Sequence, residues 1–248
     1  MKIVAIIPSR YGSTRLPGKP LLKIGGKPLI QHVYERTQRA QRVSEVWVAT
    51  DDRRIVEAVE RFGGRALLTS SSHRTGTDRV AEAARTIKAD LVVNVQGDEP
   101  LIDPQMIDQA IGPLTPSPDI PMSTVAKRST SIEELNNPNI VKVVVDQKGF
   151  ALYFSRSPLP FVRDRHSADS QGFCFLQHIG LYVYRWDFLQ KLAQLEQTPL
   201  EKLEKLEQLR VLENGFPIIV LVTDSWSVGV DTQNDLQKAR EIIEKGRL

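Results

Sequence analysis

The chain has 248 residues, enough to bury the core of one large α/β domain or of a domain carrying an insertion. Its net charge of +3 is spread over 33 basic and 30 acidic residues, too dilute a surplus for a nucleic-acid-binding protein but compatible with a basic pocket for a small anion. Cys174 is the single cysteine, which excludes an intramolecular disulfide and a cysteine-built zinc site; with no apolar run long enough to span a bilayer, a cytoplasmic protein without membrane insertion is expected.

The continuous β-branched run at 3–7 predicts a strand covered on both faces, and Pro8 ends it too early for a signal peptide. A helix is expected over 28–39, with Pro28 in the first turn and Leu29, Ile30, Val33 and Tyr34 on one face. Apolar runs at 46–49 and 91–95 alternate with helical stretches at 52–62 and 77–87. This βα order predicts an α/β fold with a mostly parallel sheet and helices on both faces. After Gly112 the prolines 113, 116, 118 and 121 mark turns, and strands are expected at 123–127, 141–146, 151–155 and 179–184. The turn at 147–149 predicts antiparallel pairing, so the middle of the chain is expected to form a second layer or a dimer surface. Thr198-Pro199-Leu200-Glu201 opens a helix that runs to Gly215, and its leucines at every third position favour a core helix with no clean polar face. A strand at 217–222 follows, and Thr232 with Asp235 opens the last helix.

Ligands of open α/β sheets bind beyond the carboxyl ends of the strands, so the loops there carry the chemistry. The first, residues 9–20, holds Arg10, Arg15 and Lys19 among glycines and prolines. It suits phosphate, although it is neither a Walker A loop nor a dinucleotide fingerprint; a solvated basic loop is the alternative. Asp98, in QGDEP at 96–100, ends the strand 91–95 and suits Mg²⁺ shared with phosphate oxygens, unless it only shapes a turn. Asp231 lies just outside the last helix, where it could bind the same ion or serve the helix dipole. The segment SHRTGTDR at 72–79 could hydrogen-bond a base or ribose through backbone amides, with Thr75 or Thr77 as N-cap.

The motifs RYGSTRLPGKP at 10–20, HRTGTDR at 73–79 and QGDEP at 96–100 resemble those of the CMP-sugar synthetases, in particular the branch that activates 3-deoxy-manno-octulosonate (Kdo). The likeness continues through YFSRS at 153–157, HIGLY at 178–182, LEKLEQLR at 203–210 and GVDT at 229–232. It implies a Rossmann-like, nucleotide-diphospho-sugar transferase-like fold, a homodimer, and conversion of CTP and Kdo into CMP-Kdo and pyrophosphate for lipopolysaccharide-type envelope polysaccharide. By the same resemblance Lys19, Asp98 and Asp231 are catalytic, with Asp98 and Asp231 holding Mg²⁺. Arg10, Ser13, Thr14, Arg15, Lys19, Arg74, Gly76 and Thr77 would bind the nucleotide. Gln96, Arg156, His178, Tyr182, Glu207 and Gln208 would bind the sugar, with the Arg156 fork on its carboxylate. The implied division is a nucleotide-binding part over 1–112 and 217–248, and a sugar-binding and dimerisation part over 120–215. Activation of another acidic sugar, such as sialic acid or 8-amino-Kdo, and a silent nucleotide-binding regulator are the competing expectations.

Overall fold

A computed structural model describes residues 1–12, 16–73, 75–163, 173–225 and 227–245. They belong to two units, Met1–Asp108 with Val183–Ala193 and Ser225–Leu248, and Gln109–Tyr182 with Gln194–Asp224.

The first unit is built outward from β1 (Ile3–Ser9), whose residues Val4, Ala5, Ile6 and Ile7 are fully buried. The hairpin β2 (Lys23–Ile24) and β3 (Lys27–Pro28) leads into α1 (Leu29–Thr37), within two residues of the expected helix. Then come β4 (Glu45–Thr50), α2 (Arg53–Arg61), the short strand β5 (Ala66–Leu68), α3 (Gly76–Thr86) and β6 (Leu91–Asn94). The strands pair in the order β6-β1-β4-β5, all parallel, with Ile6 opposite both Asn94 and Trp47. Side-chain caps start the helices: the Asp52 carboxylate accepts from Arg54 N at 2.9 Å, and the Thr75 hydroxyl, not that of Thr77, accepts from Asp78 N at 3.1 Å. A helix the sequence reading passed over, α4 (Pro104–Ile111), begins with Asp103 accepting from Gln105 N at 2.9 Å.

The second unit contains β7 (Met122–Ser129), α5 (Ile132–Asn136), β8 (Lys142–Val145), β9 (Ala151–Ser155) and β10 (Phe175–Arg185). As expected, β8 and β9 pair antiparallel, with Lys142 opposite Ser155, and β8 also pairs with β10. The end of β10 and α6 (Trp186–Leu192) return the chain to the first unit, where the Trp186 indole donates to Ala84 O at 2.8 Å. In the second unit again, α7 (Pro199–Glu204), α8 (Gln208–Glu213) and β11 (Ile218–Thr223) follow, with β11 parallel to β7. The chain closes in the first unit with α9 (Gln233–Glu244), whose capping box is the predicted Thr232 and Asp235. The whole is a mixed, mostly parallel α/β arrangement.

One expectation is corrected here. The leucine-rich helix over 198–215 is two helices, broken at Lys205, whose φ of 55° is left-handed. Leu203, placed in a core by its spacing, is 79% exposed. The break re-aims the chain after Glu204, so the three-residue leucine spacing never sweeps around a single cylinder.

Gly97 follows β6 where the chain runs against β1. A Cβ there would stand 2.7 Å from Pro8 O, and a backbone carbonyl in a buried strand has little room to yield. Gly97→Ala should destabilise the fold by about 1–3 kcal/mol in urea unfolding. Gly12→Ala, where the added carbon meets nothing within 4 Å, should leave the urea midpoint unchanged.

Candidate active site

At the carboxyl end of β1 the chain turns through Arg10, which is exposed, and Tyr11, whose ring lies 3.4 Å beneath the Arg54 guanidinium carbon. Gly18 donates to Tyr11 O at 3.2 Å with φ of 66°, and this closure delivers Lys19. Lys19 Nζ donates to Asp98 Oδ2 at 2.8 Å and to Asp231 Oδ1 at 3.0 Å. The two acidic segments are also tied directly, since Val230 N donates to Asp98 O at 2.8 Å. Burial works against the ammonium, but the charges and hydrogen bonds of Asp98 and Asp231 outweigh it and hold the Lys19 pKa above its ordinary value. The three residues expected to be catalytic therefore form one ion-paired cluster.

Beside it, burial and then the Asp98 charge push the Glu99 carboxyl up to about 7, against the Ser227 hydroxyl that donates to it at 2.8 Å. Among the described residues no three His, Cys, Asp or Glu side chains gather as a metal cage. The donors available are the Asp98 and Asp231 carboxylates, which already accept a cation in the form of Lys19. Hard oxygen pairs of this kind suit Mg²⁺, which takes its remaining ligands from phosphate and water.

The other nucleotide candidates divide. Gly76 and Thr77 open α3, with the Thr77 residue buried. This end of α3 is braced by Arg79, which donates to Thr69 Oγ1 at 2.6 Å and pairs with Asp51 at 3.0 Å, and by a His73–Glu82 contact. Ser13, Thr14, Arg15 and Arg74 lie outside the described residues.

Of the sugar candidates, Gln96 is in the first unit, where its amide makes a long 3.5 Å contact with Asn94 Oδ1; the other five are in the second. His178 and Tyr182 share a face of β10, as their spacing predicts, with ring centroids 5.4 Å apart. The Tyr182 hydroxyl donates to Gln208 Oε1 at 3.1 Å. The Gln208 side-chain nitrogen is buried with no partner among the described residues, so it retains a donor for a ligand oxygen. Glu207 stands one residue earlier, at the start of α8. His178 packs against Phe154 with ring centroids 5.0 Å apart and bonds Thr124 Oγ1 at 2.9 Å. That hydroxyl donates its proton to Leu181 O at 2.8 Å, so the network assigns the His178 proton to Nε2. Burial lowers the His178 pKa to about 3, which makes it a neutral hydrogen-bonding group at physiological pH.

Arg156 follows β9. Its Nε donates to Glu204 O at 2.8 Å and its Nη1 to Pro138 O at 3.0 Å, leaving three of the five guanidinium N–H groups for a ligand among the described residues. Nε is thus committed to the protein, and the N–H groups left for a carboxylate are on the Nη atoms.

A family model for cytidylyltransferases matches residues 4–222. The chain belongs to the cytidylyltransferase family. The 3-deoxy-manno-octulosonate cytidylyltransferase of Geotalea daltonii is 58% identical over 247 residues, covering 97% of this chain and 98% of its own. That of Trichlorobacter lovleyi is 55% identical over 253 residues, covering 99% of this chain and 100% of its own. A solved CMP:2-keto-3-deoxy-manno-octonic acid synthetase, complexed with CTP, shares 44% identity at a TM-score of 0.93 over 99% of this chain and 100% of that one.

Two groups that organise the second unit of this cytidylyltransferase escaped the sequence reading. Glu204 accepts from Ser155 Oγ at 2.5 Å and from Arg156 N at 3.0 Å, and Lys142 is a fully buried cation. Glu204 sits within the motif at 203–210, where the resemblance pointed to Glu207 and Gln208 and not to it. Lys142 is the one polar residue in an apolar strand run, the only local signal it offers.

The depressed His178 pKa has a consequence for stability. Below the unfolded-state value of about 6.5 the unfolded chain takes up a proton that folded His178 refuses until about pH 3. Stability therefore falls as pH drops through this window, by up to about 1.4 kcal/mol per pH unit. His178→Gln, which cannot titrate, should show a flatter fall in urea-unfolding free energy between pH 6.5 and 5 than the parent; parallel curves would contradict the assignment.

Proposed function

We propose that the protein activates Kdo with CTP, releasing pyrophosphate and forming CMP-Kdo for envelope polysaccharide synthesis. The observation that carries this is the Lys19–Asp98–Asp231 cluster at the strand ends of the first unit, in a chain close over its full length to Kdo cytidylyltransferases. The related synthetase solved with CTP supports the choice of nucleotide.

On this reading Lys19 neutralises triphosphate charge as it builds toward the leaving pyrophosphate, and Arg10, exposed at the start of the same loop, adds a second cation. Arg15, Ser13, Thr14 and Arg74 belong to the same nucleotide set by family resemblance, with Gly76 and Thr77 at the start of α3. Asp98 and Asp231 would hold Mg²⁺. Bound there, Mg²⁺ would shield the phosphates and lower the cost of negative charge at the reacting oxygens. The acid sugar is assigned to Arg156, His178, Tyr182, Glu207 and Gln208 of the second unit; Gln96, in the first unit, is included only by the family resemblance. Arg156 offers its remaining N–H groups to the carboxylate, and Gln208 offers its amide nitrogen, unpartnered among the described residues, to a hydroxyl. Neutral His178, whose Nε2 proton goes to Thr124, can accept at Nδ1 and brings no charge. The attacking atom is the anomeric hydroxyl, and holding it in line with the α-phosphorus is the main task left to the protein.

The reading extends to a homodimer in the cytoplasm. Leu152, Phe161 and Leu203 in the second unit, 63%, 85% and 79% exposed, support an assembly surface there. No described helix is long and apolar enough to cross a membrane.

Pyrophosphate release should require CTP, Kdo and Mg²⁺ together and stop on chelation. Asp98→Asn should lower kcat by about a hundredfold or more while changing CTP affinity far less, as expected when transition-state charge loses its support. The same assay with 8-amino-Kdo and sialic acid identifies the sugar. Faster turnover of either than of Kdo would transfer the assignment, and CTP binding without turnover of any sugar would leave a regulator.

A further inference from the structure

We infer that Lys142 is a positioning residue for the sugar end of the reaction, fixing the two chain segments that aim the Arg156 guanidinium; this rests on the proposed role of Arg156.

Lys142 opens β8, opposite Ser155 of β9 on one side and Gln177 of β10 on the other. Its side chain is fully buried. Nζ donates to Asn137 O at 3.1 Å, Ile140 O at 2.8 Å and Arg156 O at 2.6 Å. A lysine ammonium has three N–H groups, and here each meets a main-chain carbonyl. None is left for a substrate, so Lys142 acts through its neighbours.

Those neighbours belong to two segments, residues 137–140 and the residue after β9. The same segments are joined a second time by Arg156 itself, whose Nη1 donates to Pro138 O at 3.0 Å. Lys142 therefore grips the chain on both sides of the carbonyl that orients the guanidinium, and also the carbonyl of the arginine. The remaining support comes from Glu204, which receives Arg156 N at 3.0 Å and, on its own carbonyl, Arg156 Nε at 2.8 Å.

Charge follows the same design. A cation removed from water needs full hydrogen bonding and a nearby counter-charge, and Lys142 has three carbonyls and Glu204. Burial nevertheless lowers its pKa, opposed by Glu204 and reinforced by Arg156. With Glu204 offsetting one of the two cations, the group keeps a positive charge at Arg156, where an acid sugar would present its carboxylate.

Steady-state kinetics varying CTP and Kdo separately test this. Lys142→Met keeps the length of the stem but leaves three carbonyls without their donor, so the 137–140 segment and Arg156 should lose their fixed relation. The KM for Kdo should rise about tenfold or more with the KM for CTP unchanged. Arg156→Ala should raise the Kdo KM at least as far, and the double variant should be no worse than Arg156→Ala, because Lys142 acts through that side chain. An unchanged Kdo KM in Lys142→Met, with a raised one in Arg156→Ala, overturns the positioning role. An unchanged Kdo KM in Arg156→Ala overturns the sugar assignment instead. Should Lys142→Met fail to fold, Lys142→Gln, which retains an N–H donor, gives the same comparison: a selective rise in Kdo KM supports the role, and equal changes for both substrates overturn it.

Discussion

The lysine ammonium shared by two aspartates constrains the first unit more than any other single contact. It joins residues 79 and 212 positions apart, and so ties the loop after β1 to the segments that follow β6 and precede α9. Two carboxylates brought to one point repel each other unless a cation stands with them. The rest of the local backbone serves this meeting. Gly97 lets the acidic segment approach Pro8, Gly18 turns the loop under Tyr11, and Val230 ties the second aspartate's segment to the first. A change at any of these glycines acts on charge placement as well as on packing.

Buried polar groups in the second unit show two answers to one problem. Lys142 and Arg210 keep their charge because acceptors are at hand: three carbonyls for the first, and for the second the Glu201 carboxylate at 2.6 and 2.8 Å. His178 is as deeply enclosed but has aromatic rings and a hydroxyl around it, with no carboxylate bonded to it among the described contacts. Its cheaper state is the neutral one. The difference lies in the partners, since all three side chains are removed from water.

What the sequence could reveal follows from the range of the interactions involved. Strands β1, β4 and β6 were legible because full burial leaves a continuous apolar run, and the caps at Asp235 and Thr232 because both partners lie within one turn. Asp98 and Asp231 were suggested by strand-end position, but that one lysine joins them is a tertiary fact with no local trace. The short strand β5 carries too few residues for a period to emerge. The break at Lys205 was hidden because a non-glycine left-handed residue has no marker in sequence, and the leucine spacing around it argued for continuity. Lys142 drew no reading at all, because nothing in its strand run shows that the ammonium folds back onto the carbonyls of residues 137 and 140 and reaches that of Arg156. Asp103-Pro104 was an available helix-start signal that went unused.

The two sets of charges also explain why one substrate would need a metal and the other would not. In the first unit, two carboxylates against one ammonium leave the cluster negative, a poor reception for a triphosphate until a divalent cation joins it. In the second, Arg156 is held by the neutral carbonyls of Glu204 and Pro138, while the Glu204 carboxylate is offset by Lys142. Anchoring a guanidinium on carbonyls fixes its direction without cancelling its charge, and so keeps it attractive to a single carboxylate. On the proposed assignment, Mg²⁺ dependence belongs to recognition of the nucleotide, and selectivity for an acidic sugar is a property of how the polypeptide holds one arginine.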